Sequence, residues 1–207
     1  HRDAEVTKTL ITLTVGNEEF VNEGEKVVDK GYFSFYPFKK IIERKIPFLG
    51  LCFGFQLAVI TFAREVLGIK DANSTEIDPD TKEPVIDLLP EQKEIDAMGG
   101  TMRLGLKSTI IKEGTLAYRI YGKKKIYERH RHRYEVNHRY IDRFESNGLI
   151  FSGVSEDGRR MEIAEMDGHP FFIGTQFHPE FLSRPFKPSP IFIEFLKATS
   201  KYKDHLI

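Results

Sequence analysis

Pro47-Phe48-Leu49-Gly50-Leu51-Cys52-Phe53-Gly54-Phe55-Gln56-Leu57-Ala58-Val59-Ile60 decides how the rest of the chain is read. It begins as an apolar run of strand length and continues as an amphipathic helix. Cys52, the only cysteine, stands at the junction between Gly50 and Gly54. Strand, sharp turn, nucleophile and helix in that order form a nucleophile elbow. The turn needs small residues two before and two after the nucleophile, because larger side chains would strike the neighbouring strand and helix. A thiol so placed lies at a helix N-terminus, where the dipole favours thiolate. Packing is the competing explanation, since a lone cysteine often serves as a small buried hydrophobe.

Working outward, Phe38 to Lys45 reads as a short helix leading into the elbow strand. The helix after the elbow runs to about Leu67 and stops at Gly68. Residues 71–84 are rich in turn formers, and Val85 to Leu89 has the look of a short strand. Gly99-Gly100 opens an expected strand pair over Thr101 to Lys112, and Thr115 to Tyr121 fits a short helix. Arg133 to Asn137 and Leu149 to Val154 read as strands around a helix near 138–147. Asp157-Gly158 signals a hairpin joining 149–155 to 159–166. Phe171 to Gln176 is a further strand, and Ile191 to Thr199 has helical apolar spacing. Ahead of the elbow, Thr9 to Val15 is strand-like and stopped by Gly16. Residues 17–30 fit either a helix or a loop, and the aromatic run Gly31 to Pro37 has no assignment. Early strands alternate with helices and later ones form hairpins, which implies an α/β sheet with an antiparallel portion.

The 207 residues suggest a single domain, and an apolar share of 40% supports a core. Thirty-one basic and 31 acidic residues cancel, so no overall field points to nucleic acid or an anionic membrane. A single cysteine excludes an internal disulfide and a cysteine-rich zinc site, and fits a reducing, cytoplasmic setting. No apolar stretch approaches the roughly 20 residues that span a bilayer, and no signal peptide opens the chain. Asn73-Ser74-Thr75 matches a glycosylation sequon that such a setting would leave unused.

Gly174-Thr175-Gln176-Phe177-His178-Pro179-Glu180 is the second informative stretch. His178 directly follows an apolar strand, and Glu180 lies just past a proline that restricts the backbone. A cysteine nucleophile needs a base to take its proton and an acid for the leaving group, and histidine serves as both near neutral pH. A carboxylate fixes the tautomer of that histidine and stabilises its imidazolium. A plain turn after a strand would also account for His-Pro-Glu taken alone.

Gly-Leu-Cys-Phe-Gly-Phe-Gln followed much later by Gln-Phe-His-Pro-Glu resembles the class I, triad-type glutamine amidotransferases. Asp71 to Glu76, Met98 to Gly105, Glu128 to Asn137 and Phe181 to Pro185 resemble, within that class, the glutaminase domain of the CTP synthase family. The likeness covers about residues 46–200. It implies a flavodoxin-like open sheet with helices on both faces, in one amidotransferase domain over residues 1–207. It also implies glutamine hydrolysis, with Cys52 as nucleophile, His178 as base and acid, and Glu180 as the orienting carboxylate. Phe53 would donate its backbone N–H to the oxyanion, and Gly54, Phe55 and Gln56 would line the substrate pocket. Glu76 and Arg133 would hold the α-amino and α-carboxylate ends of L-glutamine, as their charges suit. No metal site is implied in this chain. ATP and Mg²⁺ would belong to an amidoligase domain that receives the ammonia, and the full-length enzyme would be a homo-oligomer.

Arg129-His130-Arg131-His132-Arg133 could form a nucleic-acid patch. The chain is neutral overall, however, and on a strand Arg129, Arg131 and Arg133 would share one face while the histidines point away, so no nucleic-acid or membrane partner is expected. The family usually carries a Gly-Gly-Phe-Gly loop before the elbow, supplying a second oxyanion N–H. No Gly-Gly precedes Cys52 here, and residues 1–45 diverge from the family's opening. Phe53 and Phe55 stand where that family more often has Leu and Met. Two other readings stay open: a degenerate amidotransferase-fold module that binds or regulates, and a γ-glutamyl hydrolase of the same fold.

Overall fold

A computed structural model of the chain describes residues 36–89, 92 and 102–204. Helix α1 (Tyr36–Glu43) precedes strand β1 (Phe48–Leu51), which turns at Cys52 into α2 (Phe53–Glu65). β2 (Ala72–Ser74) and β3 (Glu83–Asp87) follow, then β4 (Arg103–Ile111), α3 (Leu116–Tyr121), β5 (Lys125–His132) and β6 (Glu135–Val136). The chain continues through α4 (Ile141–Glu145), β7 (Leu149–Ser155), β8 (Met161–Met166), β9 (Phe172–Thr175) and α5 (Pro190–Asp204).

Among the described residues, six strands form one sheet in the order β1-β9-β8-β7-β4-β5, in which only β1 and β9 run parallel. β2, β3 and β6 form a separate three-stranded sheet. Helix α2 touches β1 and β9 of the large sheet and β2, β3 and β6 of the small one. That position explains its composition. Phe55, Ala58, Val59, Ile60, Phe62 and Ala63 are all buried, so the helix is apolar on more than one face. The opposite face of β1 and β9 is covered by α3 and α5, where Leu49, Phe171, Ile173 and Ile191 pack with Leu116 and Phe195. The expected α/β sheet with helices on both faces and an antiparallel portion is thus present. No helix among the described residues is long and apolar enough to cross a membrane.

The main core gathers Phe48, Phe55, Phe62, Phe144, Phe151 and Phe172 around α2, with the Phe48 and Phe172 rings stacked 4.6 Å apart. The Asp157-Gly158 turn joins β7 to β8, with Gly158 at φ 72° as such hairpins require. Thr115 caps α3 by accepting from the Tyr118 N–H, and Gly122 closes it at φ 63°.

Three expectations are corrected. The strand pair expected over Thr101 to Lys112 is absent from its described part, which starts at residue 102. β4 is a single strand, and its antiparallel partner is β5, at Lys125 to His132. β5 escaped notice because its inward positions are Ile126, Glu128, His130 and His132, so alternation there does not separate apolar from polar residues. The strand expected over Arg133 to Asn137 shrinks to Glu135–Val136. β5 ends at His132, so Arg129 and Arg131 are exposed on its outer face while Arg133 falls past its end, half-buried. The three arginines therefore make no common face. Thr9 to Val15, residues 17–30, most of Gly31 to Pro37 and Gly99-Gly100 lie outside the described residues.

The elbow's demand for small residues is visible in the packing. A Cβ on Gly50 would lie 2.7 Å from the Gly54 carbonyl oxygen and 2.8 Å from its carbon, both backbone atoms that cannot move aside. A Cβ on Gly174 would meet the Phe55 ring at 2.9 Å. Gly50→Ala is therefore expected to cost about 2 kcal/mol or more, and Gly174→Ala less, because a ring can yield where backbone cannot. Urea denaturation checks this, and an unchanged midpoint for Gly50→Ala would contradict it.

Candidate active site

Cys52 adopts φ 50° and ψ −101°, a conformation rarely taken by a residue with a side chain. Two backbone bonds hold it there. Its N–H donates to the Thr175 carbonyl at 2.7 Å, and its carbonyl accepts from the Gln56 N–H at 3.2 Å. The strained turn projects Sγ away from the core, at the N-terminus of a 13-residue helix. The thiol donates to the Arg131 carbonyl at 3.7 Å, and Sγ accepts from Gln176 Nε2 at 3.8 Å.

His178 reaches the same place from β9, the parallel neighbour of β1. Its backbone N–H donates to the Arg129 carbonyl at 2.9 Å, tying the segment after β9 to the edge of β5. Pro179 opens a short 3₁₀ turn that swings Glu180 back, so that Glu180 Oε1 lies 2.6 Å from His178 Nδ1. With Nδ1 so engaged, Nε2 is the nitrogen left for Cys52. The hydrogen bond to Cys52 and then that to Glu180 push the His178 pKa up to about 10, against the opposing effect of burial. The imidazole is thus a cation at neutral pH, placed between a sulfur and a carboxylate. The geometry brings together the three residues singled out from the sequence.

The residues expected at the substrate end come from three elements. Glu76 follows β2, where its N–H donates to Ser74 Oγ at 3.1 Å. Burial raises its pKa, and the nearby Arg133 charge opposes that rise, which places the two ends of opposite sign close together. Gln92 Nε2 donates to the Arg133 carbonyl at 2.9 Å and steadies the link between β5 and β6. Gln56 is 2% exposed and donates through Nε2 to the Tyr134 carbonyl at 3.1 Å and to Gln176 Oε1 at 3.2 Å. Its Oε1 has no hydrogen-bond partner among the described residues. Phe53 opens α2 beside the nucleophile, and Gly54 lies under Gly50. The Phe55 side chain is fully buried against Gly174 in the core, so it lines no open pocket.

Beneath these residues lies a polar layer that sequence patterning missed. Arg103 Nη2 meets Glu162 Oε1 at 2.5 Å, and Thr109 also donates to Glu162. Arg160 Nε lies 3.2 Å from Glu135 Oε1, and His130 Nδ1 is 2.9 Å from His132 Nε2. Burial pushes His130 down to about 2 and His132 to about 3, so both are neutral at physiological pH. Gln176 was also missed. Its sequence signal is its place at the head of Gln-Phe-His-Pro-Glu, which assigns it no role; in the structure Thr175, Gln176 and Phe177 are all fully buried. No cluster of three or more His, Cys, Asp or Glu placed to hold a metal ion occurs among the described residues.

Known proteins share this fold and much of this sequence. The family model "Glutamine amidotransferase class-I" matches residues 29–198. The CTP synthase of Archaeoglobus fulgidus is 64% identical over 161 residues, covering 78% of this chain and 30% of that protein. The CTP synthase of Staphylococcus carnosus is 60% identical over 162 residues, again 78% of this chain and 30% of the relative. The chain therefore spans 30% of the length of these relatives. Among solved structures, the Trypanosoma brucei CTPS glutaminase domain with bound acivicin superposes with a TM-score of 0.75 at 34% identity, covering 80% of this chain and 64% of that one.

The protonation pattern predicts how stability varies with pH. His178 is raised from 6.5 to about 10 by its bonds to Cys52 and Glu180. Burial raises Glu128 to about 7, with a further push from Glu180, and raises Glu135 to about 8. Each group holds a proton in the folded chain that the unfolded chain has released. The His178 contribution is full below 6.5 and is lost as pH rises through about 10, and the carboxyl contributions have the same sign. Raising the pH from about 7 to about 10 should therefore lower Tm continuously. Cys52→Ala, which removes the largest cause of the His178 shift, should make that decline shallower. Scanning calorimetry across the range checks both, and a Tm that rises with pH would contradict the assignment.

Proposed function

The chain belongs to the class-I glutamine amidotransferase family, and on that premise we propose that it hydrolyses glutamine as the glutaminase part of a CTP synthase. The observation that carries this reading is the Cys52–His178–Glu180 relay at the strained turn. Glutamine enters with its α-ammonium group against Glu76 and its α-carboxylate against the Arg133 guanidinium. The vacant buried acceptor of Gln56 suits a donor on the substrate.

The Cys52 thiolate attacks the side-chain amide carbon, forming a C–S bond and an oxyanion. That oxyanion accepts from the Phe53 N–H at the start of α2. The C–N bond then breaks, and the proton already on His178 goes to the departing nitrogen, which leaves as ammonia. Water next attacks the γ-glutamyl thioester carbon while His178 takes its proton. The C–S bond breaks, glutamate leaves and the thiolate returns. Glu180 keeps Nδ1 hydrogen-bonded throughout, so one imidazole orientation serves both halves.

The relatives are CTP synthases more than three times as long as the matching segment. The ammonia is therefore assigned to an amidoligase domain that aminates UTP with ATP and Mg²⁺, within a homo-oligomeric enzyme. The chain alone should release glutamate and ammonia from glutamine and make no CTP from UTP, ATP, Mg²⁺ and ammonium. An electrophilic glutamine analogue should add once, on Cys52, the only thiol, and abolish turnover. Arg133→Ala should raise KM for glutamine by about 10- to 100-fold with a smaller change in kcat, because its contact is distant from the reacting amide. Full activity after stoichiometric labelling of Cys52 would overturn the proposal.

A further inference from the structure

We infer that Gln176 is an additional catalytic residue whose side-chain amide donates a hydrogen bond to the Cys52 sulfur and stabilises it as a thiolate, held in that orientation by Gln56. The inference rests on the glutaminase reading of the site. Gln176 is fully buried at the end of β9, and its Nε2 lies 3.8 Å from Cys52 Sγ.

The direction of the amide follows from its neighbours. The Tyr134 carbonyl can only accept, so Gln56 must turn its NH₂ toward it, at 3.1 Å. The same NH₂ lies 3.2 Å from the Gln176 side chain, which must then present its oxygen. That leaves the Gln176 NH₂ facing Sγ. The Gln176 backbone is fixed as well, because its N–H donates to the Glu162 carbonyl at 2.9 Å. A flipped amide would set two NH₂ groups against each other and an oxygen against the sulfur.

The chemistry calls for such a donor. In the thiol form, Cys52 S–H donates to the Arg131 carbonyl at 3.7 Å. Once the proton has moved to His178, that carbonyl faces a sulfur anion and opposes it. The Gln176 N–H acts the other way, as a bond stronger to the anion than to the neutral thiol. It also supports the sulfur when it leaves the thioester as thiolate. Because Gln176 is buried and uncharged, it does this without competing with His178 for the proton.

Gln176→Met keeps the volume and removes the donor. Its kcat for glutamine should fall about tenfold with KM little changed. Alkylation of Cys52 by iodoacetamide at neutral pH should slow about tenfold and recover as the pH is raised. A merely structural role would lower Tm without moving the pH profile of alkylation. Gln176→Asn, which keeps the amide but draws it back by one methylene, gives the same reading should the Met variant fail to fold. Folded variants whose alkylation profile and kcat match the unaltered chain would overturn the inference. Absence of glutamate release by the unaltered chain would overturn the functional reading instead, and the alkylation comparison, which needs no glutamine, would still decide the role of Gln176.

Discussion

The catalytic end of this molecule depends on how closely the first turn of α2 approaches β1 and β9. Gly50 and Gly174 leave no Cβ in the gap, and the Cys52 N–H reaches the Thr175 carbonyl at 2.7 Å. Cys52 is thereby held at φ 50°, a backbone strain on the order of 1–3 kcal/mol that only the surrounding packing can maintain. The core around α2, with Phe55 from the helix and Phe48 and Phe172 from the large sheet, supplies that packing. Because β9 is the parallel partner of β1, the segment leaving β9 emerges beside the nucleophile, and His178 is carried to it by topology.

β5 completes the arrangement through its backbone. The Arg129 carbonyl takes the His178 N–H and the Arg131 carbonyl takes the Cys52 thiol, so both partners rest on one strand edge. The side chains of that strand divide by alternation. Lysine, tyrosine and arginines face out, while His130 and His132 face a layer shared with Arg103, Glu135, Arg160 and Glu162, and Glu128 is buried nearer Glu180 and Tyr121. Buried ionic groups of this kind are a poor source of stability, because desolvation opposes their attraction. Their contribution here is to fix the position of β5 against β4, β6 and β8, and so the carbonyls that the site uses.

How much of this was legible in the sequence follows from the physics of each residue. The elbow could be read because steric closeness demands glycine at fixed spacing around a nucleophile, and Gly50-Leu51-Cys52-Phe53-Gly54 shows that demand directly. His178 and Glu180 could be read because the proline between them forces a local geometry. β5 could not be read, since its interior is polar and an alternation of charged residues looks like a solvated face. Arg133 was placed on that face because a strand's end depends on tertiary pairing. The resemblance puts Phe55 in the pocket because it stands inside the elbow motif, whereas its position along the helix turns its side chain into the core. Gln176 stands in the Gln-Phe-His-Pro-Glu motif, but its role could not be read, because it depends on which way an amide points, and only its neighbours determine that.

The most direct measurement is acid-quenched mass spectrometry of the chain during turnover of glutamine. A single γ-glutamyl unit should appear on the peptide containing Cys52, reach a steady level while glutamate is released, and disappear when glutamine is exhausted. Sustained glutamate release with that peptide unmodified at every time point, or with Cys52→Ala as active as the unaltered chain, would contradict the placement of the nucleophile at the strained turn.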